Sequence, residues 1–367
     1  MKYQILLLFG LLCTGCAKVN KTDSQPPNIV LFFVDDMGWQ DTSVPFWDQL
    51  TDFNKIYKTP HMERLAKKGV KFTNAYATPV CSPTRVSLMT GMNAARHRVT
   101  NWTLKPDQKQ PMELNHPSLE FPDWNYNGIG LDPFTPNTAF AKPLPQLLSD
   151  NGYYTIHAGK AHFGAIGYPS SNPLNLGFKV NIAGHAAGAP ESYLGRENFG
   201  NGKEGKEVWA VPGLEKYHGQ DLFLTEALTQ EVLTALDKPI LEKQPFFIYF
   251  ALYGIHTPLM ANDRLVEPYR EMGMEEPEAR YASMIESMDE ALGNVLNYLE
   301  ENDQEDNTVI LFMSDNGGLS AVARGGEKHT HNLPLKSGKG SIYEGGIRVP
   351  MLAYWPGKTQ EETVNST

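Results

Sequence analysis

The sequence predicts an α/β fold with a mainly parallel central sheet sandwiched by helices, and three observations carry that expectation. Four short apolar runs rich in Val, Ile and Phe are each followed at once by polar residues. Such runs suit strands buried on both faces of a parallel sheet. Helical patterns lie between them, and the 367 residues, 41% hydrophobic and 20% charged, suffice for one large domain with a sizeable core.

The chain opens with a positive residue, Lys2, then the apolar run Ile5 to Leu12, then Thr14-Gly15-Cys16. That run is too short to span a bilayer, so residues 1–16 read as a signal peptide. Gly15-Cys16 resembles a bacterial lipoprotein signal with a lipid anchor at Cys16, although Cys13 stands where an aliphatic residue is usual. A plain secretory signal is the alternative. Residues 17–27 are polar, end in Pro26-Pro27, and read as a linker. The expected location is exported: periplasmic, or a lipoprotein of the outer membrane or cell surface of a bacterium. In such a compartment Cys81 is left as a lone thiol, either buried and inert or kept for chemistry.

The remaining residues, 28–367, read as one catalytic domain. Ile29 to Val34 leads into Asp35-Asp36, and Tyr153 to Ala158 into Gly159-Lys160-Ala161-His162. Phe246 to Leu252 leads into Tyr253-Gly254-Ile255-His256, and Val309 to Met313 into Ser314-Asp315-Asn316. In open α/β sheets ligands bind beyond the carboxyl ends of the strands, so all four runs deliver polar residues to one edge. Thr59-Pro60 opens a helix closed by Gly69, with Thr59 as its cap. Gln220 to Leu236 and Glu278 to Leu299 have helical apolar spacing. Residues 105–145 and 172–219 are rich in Pro, Gly and Asn and read as long loops that shape a cleft.

With 32 basic and 42 acidic residues the net charge is -10, which argues against nucleic acid as a partner. In Cys81-Ser82-Pro83-Thr84-Arg85, Pro83 suits the first turn of a helix ending at Gly91, which sets Cys81 at a helix N-terminus where free N–H groups favour an anion. A small core cysteine beside a proline is the plainer reading of that segment alone. Asp35, Asp36, Asp315 and Asn316 are hard oxygen donors, which suit Ca²⁺ better than Zn²⁺. Three converging carboxylates would repel one another without a cation.

Cys81 to Arg85, followed by Leu88-Met89-Thr90-Gly91, resembles the signature of the formylglycine-dependent sulfatases of the alkaline phosphatase superfamily. Further hallmarks follow in order: Asn28-Ile29-Val30 to Asp35-Asp36, Gly159 to His162, His256-Thr257-Pro258, Ser314 to Gly317, and Gly338 to Gly346. The resemblance implies that a sulfatase-maturating enzyme oxidises Cys81 to formylglycine (3-oxoalanine). It implies that Ca²⁺ is held by Asp35, Asp36, Asp315, Asn316 and an oxygen of residue 81. It further implies that Lys160 and Lys339 bind sulfate oxygens and that Arg85 supports residue 81. By the same resemblance a hydrated aldehyde attacks sulfur, His256 protonates the departing alcohol, and His162 deprotonates the second hydroxyl to release sulfate.

The expected substrate is a sulfated small molecule or glycan. Trp102 and Trp124 offer faces for a sugar ring or are packed loop aromatics, and Arg324 to His331 either contacts the substrate's alcohol or is an ordinary loop. Members of the family continue past Glu344 to Pro350 into a small antiparallel C-terminal subdomain, so the chain reads as C-terminally incomplete. Two rival readings stand: a phosphonate or phosphate ester hydrolase of the same superfamily, and an inactive sulfoglycan-binding remnant.

Overall fold

A computed structural model of the chain describes residues 26–109, 117–120, 123–319, 323–325 and 331–367. The signal segment with Cys13 and Cys16, and residues 326–330 of the loop from Arg324 to His331, lie outside the described residues. Ten strands form among those described: β1 Asn28–Val34, β2 Val70–Tyr76, β3 Ile129–Gly130, β4 Ala139–Phe140, β5 Tyr154–Gly159, β6 Val180–Ile182, β7 Phe246–Ala251, β8 Thr308–Ser314, β9 Arg348–Tyr354 and β10 Thr363–Asn365. Eight build one sheet in the order β10-β2-β9-β8-β1-β7-β5-β6, and β3 pairs only with β4.

The four apolar runs are β1, β5, β7 and β8, and they stand together at the sheet's centre. They pair in parallel, with Val30 beside Ile248 on one side and Ile310 on the other. Only β9 runs against the rest, antiparallel to both β8 and β2. Alternation along β1 divides the core, because successive side chains point to opposite faces. Val30, Phe32 and Val34 join a cluster with Met62, Leu65, Leu228, Val232, Met288 and Leu292. These come from the helices Pro60–Lys68, Leu224–Leu241 and Glu276–Glu301. Leu31 and Phe33 face the other way, onto Val86 and Met89 of the helix Cys81–Thr90. Each large side chain so buried contributes about 1.5–3 kcal/mol relative to exposure. Phe32 sits between Phe250, edge-on at 5.2 Å, and Phe312, stacked at 5.7 Å.

Two expectations need correction. Thr59 precedes the helix Pro60–Lys68 but makes no side-chain cap; its hydroxyl pairs with Thr42 and Ser43 instead. The capping oxygens come from Asp289, which accepts from the N–H groups of His61 (2.9 Å) and Met62 (2.8 Å). Residues 220–223, assigned to a helix from apolar spacing, lead up to it: the helix begins at Leu224, where Glu226 accepts from the Phe223 N–H at 3.0 Å.

Candidate active site

The parallel register of β1 and β8 sets Val34 beside Ser314, so the residues that follow meet at the sheet's carboxyl edge. Asp36 turns into the left-handed region at φ 63°, and its N–H donates to Asp315 Oδ1 at 3.2 Å. The Asn316 amide donates to Asp36 Oδ1 at 2.8 Å. Asp35, Asp36, Asp315 and Asn316 are all fully buried. Cys81 opens its helix, whose N-cap residue Val80 supplies no side-chain cap. Its sulfur and one oxygen each of Asp35 and Asp315 lie within 4.8 Å of one another, and a second such group joins it to Asp36 and His256.

Three cations converge on these acids. Lys160, delivered by β5, reaches Asp35 Oδ2 at 2.5 Å. Lys339 reaches the two oxygens of Asp36 at 2.7 and 2.8 Å. Arg85, one turn into the Cys81 helix, donates from Nε and Nη2 to Asp315 Oδ2 at 3.0 and 2.8 Å and from Nη1 to the Lys160 carbonyl at 2.9 Å. It is fully buried, and the face of Phe33 lies 5.1 Å away.

The two histidines are held in opposite senses. His162 Nε2 lies 2.7 Å from the Thr103 carbonyl, which only accepts, so Nε2 carries the proton and the buried Nδ1 keeps its lone pair without a partner. His256 Nδ1 lies 2.7 Å from the Thr257 carbonyl, leaving Nε2 toward Asp36 Oδ2 at 3.8 Å. Burial, then Lys339, depresses the His256 pKa to about 3 against the pull of Asp36. Burial and Lys160 hold His162 well below its ordinary value. Burial, reinforced by Asp315, raises Asp35 well above the usual carboxylate range. Burial acts the same way on Asp36, but Lys339 and His256 overcome it and hold that group lower. Burial also raises the Cys81 thiol, opposed by Lys160 and Lys339.

Among the described residues, Asp35 Oδ1 and Asn316 Oδ1 are buried without a hydrogen-bond partner. Two orphaned oxygens beside Asp36 and Asp315 form a hard, anionic donor set, and these residues fit a Ca²⁺-like cation.

A cleft of about 570 Å³ opens over Cys81, with His162, His256 and Lys339 in its lining. Trp102 lines it as well. Trp124 does not: it is buried against Tyr126 at 5.7 Å. Arg324, read as a possible substrate contact, is fully buried in an ion-pair network with Asp41 at 3.3 Å and Glu278 at 2.7 Å, its guanidinium 3.9 Å from the Tyr281 ring centre. It braces the loop after β1, since Asp41 in turn accepts from the Gly38 N–H at 2.9 Å. Sequence reasoning missed Thr103, which orients His162, and Gly188, where a Cβ would fall 2.3 Å from the His162 ring. It also missed Trp209, which lines the cleft.

Comparison with known proteins agrees with this geometry. A family model described as Sulfatase matches residues 27–367. A sulfatase of Formosa agariphila is 26% identical, covering 100% of this chain and 70% of that protein. The N-acetylgalactosamine-6-sulfatase of Mus musculus is 30% identical, covering 96% of this chain and 60% of that enzyme. Among solved structures, Ps i-CgsB is 30% identical with a TM-score of 0.72, covering 93% of this chain and 68% of that one; it is also known in complex with k-i-k-neocarrahexaose. The chain thus spans 60% of the length of that mouse enzyme. Because the family match runs through every strand of the sheet and every residue gathered at its carboxyl edge, the chain belongs to the sulfatase family.

Proposed function

We propose that the chain hydrolyses sulfate esters of carbohydrates, using a formylglycine made from Cys81 and a bound Ca²⁺. The observation that carries this reading is the convergence of Arg85, Lys160 and Lys339 and two neutral imidazoles around Cys81 at a helix N-terminus. Family membership supports it, as do the substrates in the relatives' names. When present, formylglycine supplies an oxygen nucleophile, and Ca²⁺ held by Asp35, Asp36, Asp315 and Asn316 supplies positive charge beside it.

The chain's own residues then do the following. Lys339 lines the cleft and Lys160 lies buried behind it on Asp35, and both supply positive charge for binding and orienting an anionic sulfuryl group. Arg85 neutralises Asp315 and fixes its position. His256 Nδ1–H is committed to the Thr257 carbonyl, so Nε2 offers a lone pair that must first take up a proton and can then pass it to the departing alcohol. Asp36 at 3.8 Å stabilises that ring when charged. His162 offers Nδ1 as a base. The N-terminal segment supports a further reading, export with a lipid on Cys16, which metabolic labelling with a fatty acid would test.

The experiment is mass spectrometry of the peptide bearing residue 81, after co-expression with a sulfatase-maturating enzyme, paired with turnover of sulfated sugars and a phosphonate ester. The expected outcome is the aldehyde and sulfate release. Faster turnover of the phosphonate would overturn the reading. Unmodified Cys81 with sugar binding but no turnover would favour a binding remnant.

A further inference from the structure

Beyond the reacting atoms, the wall of the cleft has a composition of its own. Trp102, Leu104 and Trp209 line it, and the two tryptophans pack on Leu104, Ala186 and Ala187 as a small apolar cluster separate from the core. The strap Trp102-Thr103-Leu104 is held along its length. The Thr103 N–H donates to Ser82 Oγ at 3.1 Å, the Thr103 carbonyl holds His162, and the Leu104 carbonyl accepts from the Ile166 N–H at 2.8 Å. Trp102 is therefore presented by a rigid segment that also orients a catalytic residue.

Opposite chemistry lies next to Trp209. Glu191 donates its N–H to the Trp209 carbonyl at 2.8 Å, and Lys206 accepts from the Trp209 N–H at 2.9 Å through its own carbonyl. The side chains of Glu191 and Lys206 line the same cleft, 3.5 Å apart. That contact is too long for a strong hydrogen bond, and Lys203 stands at 3.8 Å from the other Glu191 oxygen, so the carboxylate is held loosely between two lysines and keeps acceptor capacity, as Lys206 keeps donor capacity.

We propose that Trp102 and Trp209 form a subsite for the apolar face of the pyranose ring that carries the sulfate, with Glu191 and Lys206 receiving its hydroxyl edge. This rests on the sulfate-ester reading and names the part of the substrate that the wall selects. A pyranose matches because it offers an apolar face and a rim of donors and acceptors. An aryl or alkyl group would use the tryptophans and leave the charged pair idle.

The test uses the matured full chain and two esters: the sulfated monosaccharide that wild type turns over fastest, and an acyclic alkyl sulfate. Trp102→Ala, Trp209→Ala and Glu191→Gln are each expected to lower kcat/KM for the sugar about ten- to fifty-fold, chiefly through KM. The sugar-to-alkyl ratio should fall at least about tenfold, with Trp209→Phe recovering most of the loss. A ratio unchanged in all three variants would overturn the subsite. If matured wild type turns over neither ester, the sulfate-ester reading itself fails. Calorimetric titration of the sugar sulfate then decides the subsite, and equal affinity for wild type and Trp209→Ala would reject it.

Discussion

His162 takes its pose from neighbours that contribute little chemistry of their own. The Thr103 carbonyl fixes its tautomer, and Gly188 leaves the space its ring occupies. A Cβ at position 188 would stand 2.4 Å from Nδ1 and 2.3 Å from Cε1, inside any real contact. Gly188→Ala is therefore expected to lower kcat by roughly ten- to a hundredfold, up to the lower end of what general-base groups contribute because the ring is displaced rather than removed. In a His162→Ala background the same substitution should cost almost nothing more. A full additional loss in the double variant would place the effect elsewhere. The chemistry-bearing side chains were legible in the sequence because each follows an apolar run or sits in a dense motif. Thr103 and Gly188 were not, since one acts through a carbonyl and the other through a missing side chain.

At the level of elements, the helix Pro60–Lys68 depends on Asp289 from the long helix Glu276–Glu301, 228 residues away from His61. Burial raises the Asp289 pKa to about 7, even though two backbone N–H groups pull it down. A carboxyl raised in the fold favours the folded state fully below its unfolded value near 3.9, and that contribution is lost as pH rises through about 7. Denaturant unfolding of wild type and Asp289→Asn between pH 4 and 8 should show wild type losing stability relative to the variant over that window. A constant difference would remove this account. The four parallel strands were readable from their runs. β2 and β9 were not: Val70–Tyr76 is half exposed and mixed in character, and β9 carries Pro350, which speaks against an interior strand. Arg324 misled for a related reason, because glycine-rich surroundings suggest a surface loop whereas its partners Asp41 and Glu278 come from distant segments.

For the molecule as a whole, the concentration of buried carboxylate at one sheet edge should make stability responsive to cations if the proposed site is filled. Ca²⁺ binding only the folded chain should raise the unfolding midpoint, the free energy of unfolding gaining about 2.7 kcal/mol at a hundred times its Kd, and a chelator should reverse the gain. The same titration on Asp315→Asn should give a smaller shift. No shift for wild type at millimolar Ca²⁺ would remove that ion from the proposed site. The connectivity of that edge also has a consequence in time. Arg85 meets Asp315 across 230 residues of chain, and no earlier segment supplies that partner. At about 5–20 residues per second, synthesis needs on the order of ten to fifty seconds to cover that distance. Until then the Arg85 guanidinium lacks its closest carboxylate, and the buried setting of the helix bearing Cys81 is incomplete. On the proposed maturation, an enzyme that modifies the thiol, only 4% exposed once folded, must act before that burial is complete.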